Sequence, residues 1–198
     1  MNPSLIPALI LFAFVTSITP GPNNLMLLAS GVNFGFRRTI PHMLGIGIGF
    51  TVMVAAIGFG LAQIFLIWPL AYTVLKFSGA LYMLWLAWKI SQSGPVEGGK
   101  IVGRPMTFLQ AAGFQWLNPK AWIMAVSAIS TYTTGGTTAS VLLVASAFGA
   151  VNLPCVSSWA LFGSAMRHIL GDARKVRLFN YAMALLLVLS LYPLILEL

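Results

Sequence analysis

The sequence predicts an all-α, polytopic membrane protein of about six transmembrane helices. Three observations predict it: too few charges to face water, six long apolar segments, and nine of the eleven basic residues at alternate connections. Of 198 residues, 59% are apolar and only 7% charged, whereas soluble domains carry roughly 25% charge. Fourteen Lys, Arg, Asp and Glu side chains cannot cover a water-facing surface of this size, but a lipid-facing surface needs none. A crossing takes about 20 residues, so six take roughly 120 and leave room only for short connections. The chain therefore reads as a single transmembrane domain over residues 1–198. A net charge of +8 in a soluble protein would suggest nucleic acid. Here the charges sit between apolar runs, where they orient helices, and nucleic acid is excluded as a partner.

The six segments run from about 4–30, 40–65, 71–90, 106–131, 138–164 and 176–195. The first has no Lys or Arg ahead of it and outlasts a signal-peptide core, so it reads as a retained helix. The longest polar stretch, SQSGPVEGGKIVGRP at 91–105, reads as a flexible loop from its glycines, prolines and charges. The single cysteine, Cys155, lies in an apolar run and reads as a small packed residue.

Arg37 and Arg38 fall between segments 1 and 2. Lys89, Lys100 and Arg104 border or occupy the connection between 3 and 4. Arg167, Arg174, Lys175 and Arg177 fall between 5 and 6. The other two connections, IWPLAY and TYTTGGTT, carry no charge. The positive-inside rule places the three basic connections in the cytoplasm and both termini outside. A five-helix arrangement with one re-entrant segment is the alternative.

Segment 1 is interrupted by SITPGPNNLMLL at 17–28. Pro20 and Pro22 lack amide hydrogens and clash with the preceding turn. Gly21 between them permits unusual backbone angles. Backbone groups freed there need protein, water or substrate partners, because lipid supplies none. Segment 4 is interrupted by Asn118, Pro119 and Lys120. Pro20 and Pro119 lie 99 residues apart, half the chain, and each half (about 1–95 and 100–198) holds three segments with the first one broken. Three crossings per half give the halves opposite orientation. That is the pattern of an inverted 3+3 transporter repeat, whose substrate site lies where the broken helices meet.

Asn23, Asn24 and Gln115 are polar candidates beside the breaks, and Asn152 in segment 5 is a further candidate. The asparagines could equally bond one helix to another, and Lys120 could snorkel to an interface. His42 at the start of segment 2 reads as a loop or interface histidine, or as a proton-handling group. Gly45 with Gly49, and Gly31 with Gly35, have the small-xxx-small spacing of close helix packing, within the chain or in a homodimer.

At TPGPNN (19–24), GFRR (35–38), GALYMLWLAWK (79–89) and FQWLNPKAW (114–122), the chain resembles the L-lysine exporter / homoserine–threonine resistance (LysE/RhtB) superfamily of small bacterial amino-acid exporters. The paired asparagines and YMLWLAWKIS look most like its cysteine/O-acetylserine exporter branch. The resemblance implies about six helices in the bacterial cytoplasmic membrane. It also implies secondary export of amino acids or relatives, driven by the proton gradient, with no cofactor. Pro20, Gly21, Pro22 and Asn23 match the family's first-helix signature, and Asn118, Pro119 and Lys120 its fourth-helix signature.

The three acidic residues, Glu97, Asp172 and Glu197, all lie outside the apolar segments. No buried carboxylate is then expected to neutralise a cationic substrate side chain, which predicts a neutral, zwitterionic substrate of the cysteine, O-acetylserine, homoserine or threonine type. Export of another small polar metabolite is the alternative. Enzymatic chemistry is not expected, since HExxH and G-x-S-x-G motifs are lacking.

Overall fold

The structure, a computed structural model, describes residues 3–95, 101–133 and 137–192. It is helical apart from one two-residue ladder. In chain order, α1 (Ile6–Ile18) and α2 (Pro22–Phe34) are joined through a break with a 54° bend. Pro22 sits in the first turn of α2, where a missing amide removes no helical bond. Gly35, at φ +80°, turns the chain sharply into α3 (Phe36–Gly58). A 3-10 turn at Leu61–Gln63 and the short α4 (Ile64–Ile67) lead to α5 (Pro69–Ser91). The strands β1 (Gly94–Pro95) and β2 (Ile101–Val102) pair antiparallel. A reciprocal Thr107–Gln110 capping box opens α6 (Phe108–Gln115). After a second break come α7 (Pro119–Tyr132), α8 (Thr138–Leu170) and α9 (Ala173–Leu189).

Helices α3, α5 and α8 are each long and apolar enough to cross a bilayer, and the bent α1–α2 pair together meets the same test. The chain is a multi-pass membrane protein. Its outward faces carry large apolar side chains such as Leu11, Leu66, Leu109 and Phe162, which suit lipid. The bundle is organised around α8, against which α1, α2 and α3 pack, while α6 lies on α3 and α9 on α5.

Glycine makes the closest of these crossings possible. A Cβ on Gly31 would stand 2.4 Å from the Ala160 carbonyl oxygen, and one on Gly163 2.3 Å from that of Leu28. Gly45 and Gly49 likewise seat Phe108 and Ala112 of α6 against α3. These small-residue faces are thus occupied inside the chain, which removes the sequence argument for a homodimer. Gly163→Leu is expected to cost about 3 kcal/mol through overpacking, read as a lower melting temperature of the detergent-purified protein.

Several expectations change in detail. Gly35 serves the turn into α3 and not a packing face, and it brings α3's start forward to Phe36. That helix ends at Gly58, ahead of the expected 65, because Gly60 at φ +100° closes it off. Helix α8 runs six residues further than expected, to Leu170. Arg167 therefore lies in its last turn, while Arg174, Lys175 and Arg177 lie within α9, whose N-terminus Asp172 caps. The 91–105 stretch is pinned at both ends of its loop: β1 pairs with β2, and Asn180 donates to the Ser93 carbonyl. Residues 96–100, with Glu97 and Lys100, and Glu197 lie outside the described residues.

The basic connections do gather at one end of the bundle. Arg167 approaches Gly35, Phe34 approaches Gly103, and Val176 and Asn180 approach Gly94.

Candidate functional site

The two helix breaks meet. Breaking α1 at Thr19 leaves the carbonyls of its last turn without helical partners, and side chains take up every one of them. Thr19 Oγ1 donates to Thr16 O. Asn24 Nδ2 donates to Ser17 O at 2.9 Å and Thr19 O at 2.8 Å. Trp159 Nε1, from α8, donates to Ile18 O at 3.1 Å. Lys120 Nζ, from α7, donates to Thr19 O and Thr19 Oγ1 at 2.9 Å and to Pro20 O at 3.2 Å. The Gly21 carbonyl accepts from the Leu25 amide of α2. This is how lipid-depth backbone without helical bonds is made tolerable.

A second link is a reciprocal amide pair. Asn23 Nδ2 donates to Gln115 Oε1 at 2.8 Å, and Gln115 Nε2 donates to Asn23 Oδ1 at 3.2 Å and to Ala111 O. The start of α2 is thereby joined to the end of α6. On the α7 side, Asn118 caps its own helix by accepting from the Lys120 amide, with Pro119 as first residue. Trp122 Nε1 donates to Trp116 O across the same break.

The two half-helix N-termini are therefore unlike. That of α7 is capped by Asn118. That of α2 has Gly21 as its N-cap and no side-chain cap, with the Lys120 ammonium alongside: a Cβ on Gly21 would lie 3.1 Å from Nζ and 2.7 Å from Cδ. The positive end of the α2 dipole and a cation thus converge on one spot, a favourable setting for an anionic group.

Asn23, Asn24, Asn118, Lys120 and Asn152 line a cavity here, closed off on its apolar side by Phe50, Met124 and Val156. Its volume of about 20 Å³ holds one or two waters. Asn152 donates to Ser17 Oγ at 3.0 Å, while its buried Oδ1 has no partner. Gln115 is fully buried just beside this group. Beyond Lys120 lies a much larger cleft of about 710 Å³, bordered by Pro20, Pro22 and Pro119 and walled by Phe65, Tyr72, Trp122 and other apolar side chains of α4, α5 and α7. Lys120 stands between the two.

Ten of the sequence candidates are brought to this centre. His42 is not. It lies inside α3 and not in a loop, 1% exposed, and neither ring nitrogen has a partner among the described residues. Sequence reading missed Ser17, Thr19 and Trp159, which hold the break together. Ser17 and Thr19 sit inside the quoted motif and were legible as hydrogen-bonding residues next to it. Trp159 carried no local signal.

A second polar centre, also missed, joins α2 to α9. Asn33 and Asn180 exchange amide bonds at 2.7 and 2.9 Å, and both are buried.

Comparison with known proteins agrees with this anatomy. Residues 14–195 match the model of the LysE type translocator family. The chain is 33% identical over 205 residues to a cysteine/O-acetylserine efflux protein of Klebsiella pneumoniae, covering all of both chains. It is also 33% identical over 196 residues to proteins of that name from Escherichia coli K12 and Shigella sonnei, covering 95% of this chain and 96% of theirs. No solved structure matches significantly. With the paired helix breaks in place and the family match running through both of them, the chain belongs to the LysE type translocator family and is a membrane transporter, not an enzyme.

Proposed function

We propose that this protein exports neutral, zwitterionic amino acids or close derivatives, of the cysteine, O-acetylserine, homoserine or threonine type, across the bacterial cytoplasmic membrane. The observation that carries the reading is the convergence of both broken helices on one polar cavity. There an uncapped helix N-terminus and Lys120 suit a carboxylate, and Asn23 and Asn152 offer neutral polar contacts, with Gln115 holding Asn23 in place from behind. Among the described residues no acidic side chain lines the cavity, and Asp172 is engaged at the N-terminus of α9. A cationic substrate side chain would meet Lys120 with no counter-charge, which disfavours lysine and arginine. The name of the relatives points to the same substrate class.

The transport cycle in this reading is alternating access by an inverted repeat of six spans, with α1–α2 matching α6–α7, α3 matching α8 and α5 matching α9. Packing supports it, because matched helices lie against each other: α3 on α8 and α5 on α9. The repeat is unequal at one place. Helix α9 packs on α2, whereas α5 stands off α7, with the large cleft between them. With the basic connections in the cytoplasm and the termini outside, this is the outward-open arrangement. The Asn33–Asn180 pair is then the cytoplasmic closure, which parts when α5 closes on α7. Joining the thiols of an Asn33→Cys, Asn180→Cys variant through a short bis-methanethiosulfonate, which forms a disulfide with each and releases two sulfinates, in a Cys155→Ala background, is expected to arrest transport, with recovery when the disulfides are reduced. Unimpaired transport by the joined protein counts against this closure.

The test of function is efflux from proteoliposomes loaded with the twenty amino acids, O-acetylserine and homoserine, with and without an imposed proton gradient. Saturable, gradient-stimulated efflux of a few neutral species is expected. Equal efflux of lysine or arginine would overturn the neutral-substrate reading, and absence of any amino-acid efflux from folded protein would leave another small polar metabolite as cargo.

A further inference from the structure

A second polar pocket lies toward the basic end of the bundle along α2: Asn23 and Asn24 line the central cavity, and Ser30 and Asn33, about two turns further on, line this one. The pocket, about 50 Å³, is bounded by the last turns of α2 and α5, the start of α3 and residues 104–106. His42 lines it together with Ser30, Lys89 and Arg104. His42 is 1% exposed, and both of its nitrogens are without partners. A neutral imidazole has one donor and one acceptor, and leaving a buried donor unmatched costs about 1–3 kcal/mol. Such a residue in a pocket wall has a use for a ligand there. Its obvious neighbours do not serve it: Ser30 and Thr39 bond each other, and Asn33 is committed to Ala29 and Asn180. Lys89 lies over the Trp85 ring at 4.5 Å, which holds its ammonium near the pocket. Among the described residues, two cations and an imidazole donor line the pocket and no carboxylate does.

We propose that this pocket is a second substrate site, an entry site that binds the carboxylate of an amino acid arriving from the cytoplasm before it reaches the central cavity. The site rests on the exporter reading above. His42 donates a hydrogen bond to one carboxylate oxygen, and Arg104 and Lys89 supply charge. The pocket is sized for the carboxylate head, with the remainder of the molecule at its mouth beside the exposed Arg104. Helix α2 forms a wall of both sites, with Asn23 and Asn24 at one end and Ser30 and Asn33 at the other. An amino acid released from the entry site therefore travels along one helix to reach the breaks.

Two measurements test it. First, the nitrogen resonances of His42 are followed in the full-length protein in nanodiscs, assigned with a His168→Gln variant. O-acetylserine should shift them saturably, and its methyl ester, which lacks the carboxylate, should not. The absence of a shift, or the same shift with both compounds, overturns the site whatever the protein transports. Second, transport is measured from the cytoplasmic face in inside-out vesicles. Arg104→Gln, at an exposed position with no demand on folding, should raise KM about fivefold, and His42→Gln about tenfold, with the maximal rate retained. KM unchanged in both variants, alongside saturable wild-type transport, overturns the entry site and leaves the exporter reading intact. No saturable wild-type transport overturns the exporter reading instead, and the resonance measurement then decides the site by itself.

Discussion

Lys120→Met leaves the protein folded and lowers saturable efflux about a hundredfold, the loss expected when an ionic contact and a charge-assisted hydrogen bond to a substrate carboxylate both disappear. The stability side of this expectation follows from its partners. Thr19 O keeps its bond from Asn24, and Thr19 Oγ1 still donates to Thr16 O. Only Pro20 O loses its partner, and Pro20 is exposed to the large cleft. That orphan costs about 1 kcal/mol at most, so the melting temperature stays within a few degrees. Lys120→Arg should not restore efflux. The side chain lies directly on Gly21, with Cδ 2.7 Å from a Gly21 Cβ position, and a longer planar fork has no room to present its charge at the same point. Normal efflux by a folded Lys120→Met protein would reduce Lys120 to a strap between α7 and the α1–α2 break.

Asn24→Leu loses both stability and transport. The two side chains share branching and heavy-atom count, and Leu is the bulkier, so no cavity is left. What disappears is the donor shared between Ser17 O and Thr19 O in a site only 3% exposed. Lys120 still serves Thr19 O, but Ser17 O is left unmatched in the protein interior. The expected cost is about 2 kcal/mol, read by thermal denaturation in detergent. Transport should fall further than stability explains, because the bend between α1 and α2 sets where Asn23 and the α2 N-terminus point. Stability equal to wild type would mean that the break is held without Asn24. Restored stability with transport still lost, for example in a more stable lipid environment, would separate the two roles.

Much of this was legible in the sequence because it depends on local chemistry. Pro20, Gly21 and Pro22 cannot continue a helix, and Asn118–Pro119 places a capping side chain directly ahead of a residue that favours a first turn. Both breaks stand where those residues put them. The scarcity of charge dictated a lipid-facing surface wherever the chain ran. Helix ends were less legible. The span expected to end at 65 stops at Gly58, and the 91–105 stretch is held by a ladder and by Asn180, a partner 87 residues from Ser93.

The sequence by itself determined that the helices break, which backbone groups are freed, and which residue types stand beside them. Only the tertiary structure decided which partner meets which carbonyl: Trp159 and Lys120 reach the α1 end from helices over a hundred residues away, and Gln115 reaches Asn23. It also decided that His42, read as a loop or interface histidine or as a proton-handling group, is buried without a partner. The physical reason is that helix breaks follow from steric and hydrogen-bonding limits within a few residues, whereas satisfying freed polar groups away from water depends on helix crossings. Those crossings are set by where glycine lets two backbones touch, as at Gly31 and Gly163.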